Sequence, residues 1–93
     1  MLKWFEFAAS LPPAPAPQFF TLEQVKVHNS AQDCWIVLEG KVYNLTPFLE
    51  FHPAGIPVLR PFFGRDGTQA FLKAHAWICH EKMLSKCLLG LLV

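Results

Sequence analysis

Two β-prone segments that flank a two-residue turn place the strongest constraint on how this chain folds. Residues 34–38 and 41–45 are rich in branched and aromatic side chains, which favour strands. Glu39 and Gly40 lie between them, so the pattern predicts an antiparallel β-hairpin. The patterns around the hairpin are short helical ones, and we therefore expect an α+β domain.

Local signals predict where several short helices begin. Thr21 and Gln24 form a capping-box pattern, which opens a helix through Val27. Thr46 is expected to cap a second helix that has Pro47 in its first position.

The second half of the chain is expected to contain three more helices. Pro61 kinks or shortens a helix at residues 57–63. Asp66 is expected to cap the next helix, which runs to about residue 74. The last two predicted elements are a helix at residues 80–86 and a strand at residues 88–93.

Residues 1–18 differ from residues 19–93, which form the predicted domain. They contain an apolar patch followed by a proline- and alanine-rich run at residues 12–17, which favours an extended conformation. We expect the patch to fold back onto the domain. Contact with a partner or with a membrane surface remains an alternative.

Composition excludes several classes of protein. A net charge of +1 lacks the basic excess of nucleic-acid binders. The three cysteines have no C-x-x-C spacing, so a disulfide framework or a four-cysteine zinc site is not expected. No stretch has the ~20 apolar residues that a membrane-spanning helix needs, and we expect a soluble, cytoplasmic monomer.

Two histidines follow apolar segments of similar character. His52 comes after residues 48–51, and His75 comes after residues 70–74. Each could be an ordinary histidine of the surface or core. Neutral imidazoles also ligate iron, and a haem takes two axial ligands, so the pair is a candidate haem site. The high aromatic content, with nine Phe and three Trp, fits either a buried flat ligand or an aromatic-rich core.

From Phe19 onward the sequence resembles the cytochrome b5 family. The resemblance rests on the segments 33–37, 40–49, 58–59 and 64–68, on Phe71, and on the His52-Pro53-Ala54-Gly55 loop with its second histidine 23 positions later. The segment from His75 to the end is most similar to the b5 domain of fused b5/b5-reductase flavohaem oxidoreductases.

The resemblance implies a cytochrome b5-like fold with a small mixed sheet, in which short helices form two helix-loop-helix arms around a crevice for one non-covalent haem b. It implies that His52 and His75 ligate the iron, and that a backbone carbonyl accepts a hydrogen bond from each ring. Gly55 would permit that close approach, and Trp35 would pack in the core behind the crevice. The side chains expected to line the crevice are Leu38, Leu45, Phe48, Val58, Leu59, Phe71, Ala74 and Leu84.

The same matching favours His75 over His80 as the second ligand. His80 and His28 are expected at the surface. Departures from the family pattern are Ala54 in place of a glycine, Ile56 and Pro57 in place of two acidic residues, and Ala76 after the second histidine. An apolar to basic docking face is predicted from Ile56, Pro57, Arg60, Pro61, Phe62, Phe63 and Arg65.

The resemblance implies an electron carrier and not an enzyme. Its donor would be a flavoprotein reductase, and its acceptor an oxidase or desaturase. One alternative is a non-redox haem- or steroid-binding regulatory protein with tyrosine ligation, for which Tyr43 is available. Another is a zinc domain that uses His52, His75, His80 and a cysteine.

Overall fold

The predicted hairpin forms the centre of a six-stranded mixed sheet in the computed structural model, which describes residues 2–93. Strands β3 (Asp33–Leu38) and β4 (Lys41–Asn44) pair antiparallel. Glu39 and Gly40 both have positive φ angles, 51° and 77°, as a type I′ hairpin turn requires. The hairpin prediction is confirmed.

Four shorter strands complete the sheet. They are β1 (Gln18–Phe20), β2 (Asn29–Ser30), β5 (Arg65–Asp66) and β6 (Leu88–Leu92). The order is β1-β6-β4-β3-β2, with β5 paired to β3 away from this path. The β1–β6 and β3–β5 pairs are parallel and the others are antiparallel. The α+β prediction with a small mixed sheet is therefore confirmed.

Short helices surround the sheet. The α-helices are α1 (Leu2–Ala9), α2 (Leu22–Lys26), α3 (Ile56–Leu59), α4 (Thr68–His75) and α5 (His80–Met83). Three 3₁₀ helices cover Thr46–Phe51, Arg60–Phe62 and Ser85–Cys87.

Several predicted helix boundaries are confirmed. The Thr21–Gln24 capping box is complete, with both reciprocal hydrogen bonds present. Pro61 divides the predicted helix at residues 57–63 into α3 and a 3₁₀ turn, as expected from its missing N–H group.

Two predicted caps are wrong. Leu45 is the N-cap of the 3₁₀ helix, because the Thr46 hydroxyl bonds to Asn44 and to the backbone N–H of Cys34 instead. Gly67 is the N-cap of α4, although the Asp66 carboxylate still accepts hydrogen bonds from the Thr68 N–H and hydroxyl.

The two faces of the sheet contact two different apolar clusters. Side chains alternate along a strand, so Ile36 and Leu38 face the larger cluster and Val37 faces the smaller one. Trp35 packs against the smaller cluster, half-buried and stacked on His28 at 3.6 Å between ring centroids. Trp35 therefore lies on the opposite face from the larger cluster.

Trp4 is the most deeply buried side chain by which helix α1 packs against the domain. Trp4 is fully buried, and its indole N–H donates to the Met83 carbonyl at 2.8 Å. Its ring meets Phe48 edge-on at 5.0 Å. Lys86 adds hydrogen bonds to two carbonyls near the end of the helix. Residues 12–17 then run without regular structure to β1.

No helix within residues 2–93 has the length and apolar character to cross a bilayer.

Removing the Trp4 side chain tests this attachment. We predict that Trp4→Ala lowers the free energy of unfolding by about 3–5 kcal/mol, because a large buried side chain is lost. Phe5→Ala, on the same helix at 47% exposure, is the matched control and should cost about 1 kcal/mol or less. Urea denaturation measures both values. Equal losses would show that α1 does not pack through Trp4.

Thiol reactivity tests the burial of the core. Burial raises the pKa of Cys34 to about 12, with a further contribution from Asp33, and burial raises the pKa of Cys87 to about 11. Since the thiolate is the nucleophile, both should be inert at about pH 8, while exposed Cys79 reacts. We predict one fast-reacting thiol in a disulfide-reagent titration, lost in Cys79→Ser, and three after denaturation. A fast thiol remaining in Cys79→Ser would contradict this.

Candidate functional site

The larger cluster encloses a cavity of about 460 Å³, within the roughly 300–1,000 Å³ range of small-molecule sites. Both histidines that the sequence singled out lie in its wall. All eight predicted lining residues lie there too. The structure therefore brings together ten residues that span positions 38 to 84 of the chain, from β3 to the turn after α5.

The two imidazoles are the only polar side chains among the described residues that line this cavity. The other lining residues are aliphatic or aromatic, apart from Gly67 and the thioether of Met83. An apolar wall with two nitrogen donors suits a flat, largely apolar ligand that carries a metal with affinity for imidazole.

His52 ends the first arm of the cavity. The 3₁₀ helix stops at Phe51, and His52 is its C-cap. The His52 Nδ1 lies 3.1 Å from the Gly55 carbonyl oxygen. Since a carbonyl can only accept, Nδ1 carries the proton, which leaves the Nε2 lone pair free for a metal.

Gly55 makes this hydrogen bond possible through its backbone. Its φ of 88° and ψ of 170° lie in a region that is essentially restricted to glycine. Glu39 is the only non-glycine among residues 2–93 with a positive φ, so Ala54 has an ordinary conformation. The methyl group at position 54 therefore causes no backbone strain.

His75 ends the second arm and is the last residue of α4. Its ring contacts Phe71 at 5.6 Å and Trp77 at 6.2 Å between centroids. Within residues 2–93 no hydrogen bond to either ring nitrogen of His75 is found. The predicted hydrogen bond to a backbone carbonyl is therefore found for His52. For His75 the same prediction is wrong within residues 2–93.

The family model described as "Cytochrome b5-like Heme/Steroid binding domain" matches residues 21–93. This chain belongs to the cytochrome b5 family. Haem b is the cofactor of cytochrome b5 domains, so the prediction of this cofactor is confirmed. The prediction of a haem-binding domain of the electron-transfer type is also confirmed.

Individual relatives agree with this assignment. Cytochrome b5 reductase 4 of Xenopus tropicalis is 47% identical over 70 residues, which are 75% of this chain and 13% of that protein. An uncharacterized protein of Schizosaccharomyces pombe is 39% identical over 95 residues, 99% of this chain and 65% of that protein. The chain thus spans less than two thirds of the length of either relative.

A solved structure supports the fold. The cytochrome b558 of Ectothiorhodospira vacuolata superposes with a TM-score of 0.70 at 34% identity, covering 82% of this chain and 99% of that one. Its published description calls it a prokaryotic homologue of cytochrome b5. The predicted cytochrome b5-like fold is confirmed.

The sequence prediction for His80 of this cytochrome b5 domain is wrong. His80 was expected at the surface, but it is 4% exposed. Its Nδ1 lies 2.9 Å from the Tyr43 hydroxyl, and its Nε2 lies 3.2 Å from a Glu39 carboxylate oxygen. Both ring nitrogens are engaged, so His80 offers no free lone pair to a metal.

The same contacts bear on the two alternative functions. Tyr43 is not among the lining residues. Burial raises the pKa of its hydroxyl, which bonds to His80. Within residues 2–93, no group of three or more His, Cys, Asp or Glu side chains is arranged to bind a metal ion. The geometry thus favours neither tyrosine ligation nor the zinc site.

Eight lining residues were missed by the sequence analysis. Ile36 could have been found, because it shares a strand face with Leu38. Gly67 and Ala70 could have been found by their helical spacing from Phe71 and Ala74. The others belong to loops or to one-turn helices that are too short to carry a periodic signal: Pro53, Ala54, Phe62, Ile78 and Met83.

The Gly55 backbone is open to a direct test. We predict that Gly55→Ala destabilises the loop by about 1–3 kcal/mol, because alanine is strained at this φ and ψ. It also displaces the carbonyl that orients His52, so haem affinity should fall. Haem transfer to apomyoglobin and urea denaturation measure the two effects. Ala54→Gly is the neighbouring control, and an equal loss there would refute the assigned role of Gly55.

Proposed function

We propose that this cytochrome b5 domain carries single electrons through a haem b that His52 and His75 ligate. The observation that carries the proposal is that, among residues 2–93, these two side chains are the only polar ones in the wall of one apolar cavity. They come from separate arms, one before α3 and one at the end of α4.

The haem supplies a one-electron iron couple when it is bound. His52 contributes an Nε2 lone pair, and its Nδ1–H donates a hydrogen bond to the Gly55 carbonyl oxygen. Ligation by both imidazoles would leave no axial position for oxygen or substrate, which favours electron transfer over catalysis. We therefore infer a carrier without a catalytic site of its own.

The residues beside the cavity favour partners other than strongly basic ones. Ile56 and Pro57 begin α3, where acidic residues were expected from the family pattern. Val58 is 55% exposed, and exposed Arg60 follows two residues later. We propose that a flavoprotein reductase is the donor and an oxidase or desaturase the acceptor, each meeting this apolar to basic face with an apolar or acidic surface.

Support for the donor comes from the relatives, because several curated ones are named cytochrome b5 reductase 4. The three cysteines are free thiols, which fits a reducing compartment such as the cytoplasm.

Substituting each histidine tests the proposal. We predict that the chain reconstituted with haemin gives a low-spin spectrum with a sharp Soret band and resolved α and β bands on reduction. His52→Ala and His75→Ala should each convert it to a high-spin form or abolish binding, since one axial ligand is lost. Optical and EPR spectra measure this.

His28→Ala is the control, because His28 lies on the opposite side of the sheet, stacked on Trp35. The control should keep the wild-type spectrum. A wild-type chain that stays colourless with haemin, or a His75→Ala variant with an unchanged low-spin spectrum, would overturn the proposal. Failure of NADH and a b5-type flavoprotein reductase to reduce the reconstituted chain would overturn the proposed donor alone.

A further inference from the structure

The orientation of the His75 ring depends on packing. His52 has a hydrogen bond to a backbone carbonyl, whereas no such bond to His75 is present within residues 2–93. Of the two aromatic neighbours of His75, Trp77 is 80% exposed and has little contact that could fix it. Phe71, at 5.6 Å, is therefore the neighbour that can restrain the ring.

Phe71 is in turn restrained by His80. The His80 ring meets the Phe71 ring edge-on, at 5.5 Å between centroids and 85° between planes, a favourable aromatic geometry. Phe71 lines the cavity, while His80 does not and is nearly fully buried. His80 thus lies behind Phe71 as seen from the cavity.

His80 has a fixed orientation because both of its nitrogens are hydrogen-bonded. One neutral tautomer satisfies both contacts, with the Tyr43 hydroxyl donating to Nδ1 and Nε2–H donating to the Glu39 carboxylate. Tyr43 is 1% exposed and belongs to β4 at the centre of the sheet. The contacts therefore connect the sheet to α4 through His80.

We propose that His80 is a positioning residue for His75, and that it acts through the Phe71 ring that lies between them. The inference rests on the proposed function, in which His75 ligates the iron. Outer contacts of this kind orient a metal ligand and tune the metal. In this domain, a ring contact anchored by Tyr43 and Glu39 takes the place of a hydrogen bond to His75, which is not found within residues 2–93.

The test uses the full chain reconstituted with haemin and a double-mutant cycle of His80→Ala and Phe71→Leu. The readouts are the g values of the ferric low-spin EPR signal, which report ligand-plane orientation, and the rate of haem transfer to apomyoglobin. We expect each single variant to shift the g values and to release haem about tenfold faster, the lower end of effects seen for such outer contacts. The double variant should match Phe71→Leu alone.

His28→Gln is the matched control. His28 also bonds to a carboxylate, that of Asp33, and also packs on an aromatic ring, but it lies on the other face of the sheet. The His28→Gln variant should leave the g values and the haem release rate unchanged. Tyr43→Phe removes one anchor of His80 while keeping the fold, so it should shift the g values in the same direction as His80→Ala.

Two results would overturn the inference: wild-type g values and release rate in His80→Ala, or effects of His80→Ala and Phe71→Leu that add in full. If His80→Ala does not fold, Tyr43→Phe replaces it in the cycle under the same criteria. Failure of the ligand assignment is distinguishable, because His75→Ala would then keep the low-spin signal. If only the positioning role fails, His75→Ala still loses the low-spin signal, while the cycle variants keep the wild-type g values and release rate.

Discussion

The apolar wall between the two helical arms is the constraint on which the rest of this structure depends. A chain of 93 residues buries a limited core, yet this one directs aliphatic and aromatic side chains from β3, α3, α4 and α5 into an open cavity. Such a surface is unfavourable in water. A haem bound there would complete the apolar core in a way that the polypeptide alone does not.

The sheet separates this cavity from a second, smaller core. Alternate residues of β3 face opposite sides, so one strand supplies Ile36 and Leu38 to the cavity and Val37 to the cluster that Trp35 covers. Helix α1 adds a further layer. Trp4 bonds to the carbonyl of Met83, a lining residue, which couples the N-terminal segment to the cavity wall.

The two candidate ligands are restrained by different physical means. His52 is oriented by a hydrogen bond that depends on the backbone of Gly55, a local effect within four residues. Within residues 2–93, His75 has two aromatic-ring contacts and no hydrogen bond. The more restrained of the two rings, that of Phe71, leads to His80 and through it to Tyr43 and Glu39. That difference makes the second arm dependent on the sheet, while the first arm depends on its own loop.

Residues close in sequence were enough to predict the hairpin, the capping box and the break at Pro61. A distinctive family motif was enough to predict the two histidines and eight of their neighbours in the cavity wall. The tertiary structure alone decided the burial of His80. His80 bonds to residues 37 and 41 positions away. No local pattern encodes such contacts, since they exist only once the sheet and α5 have come together.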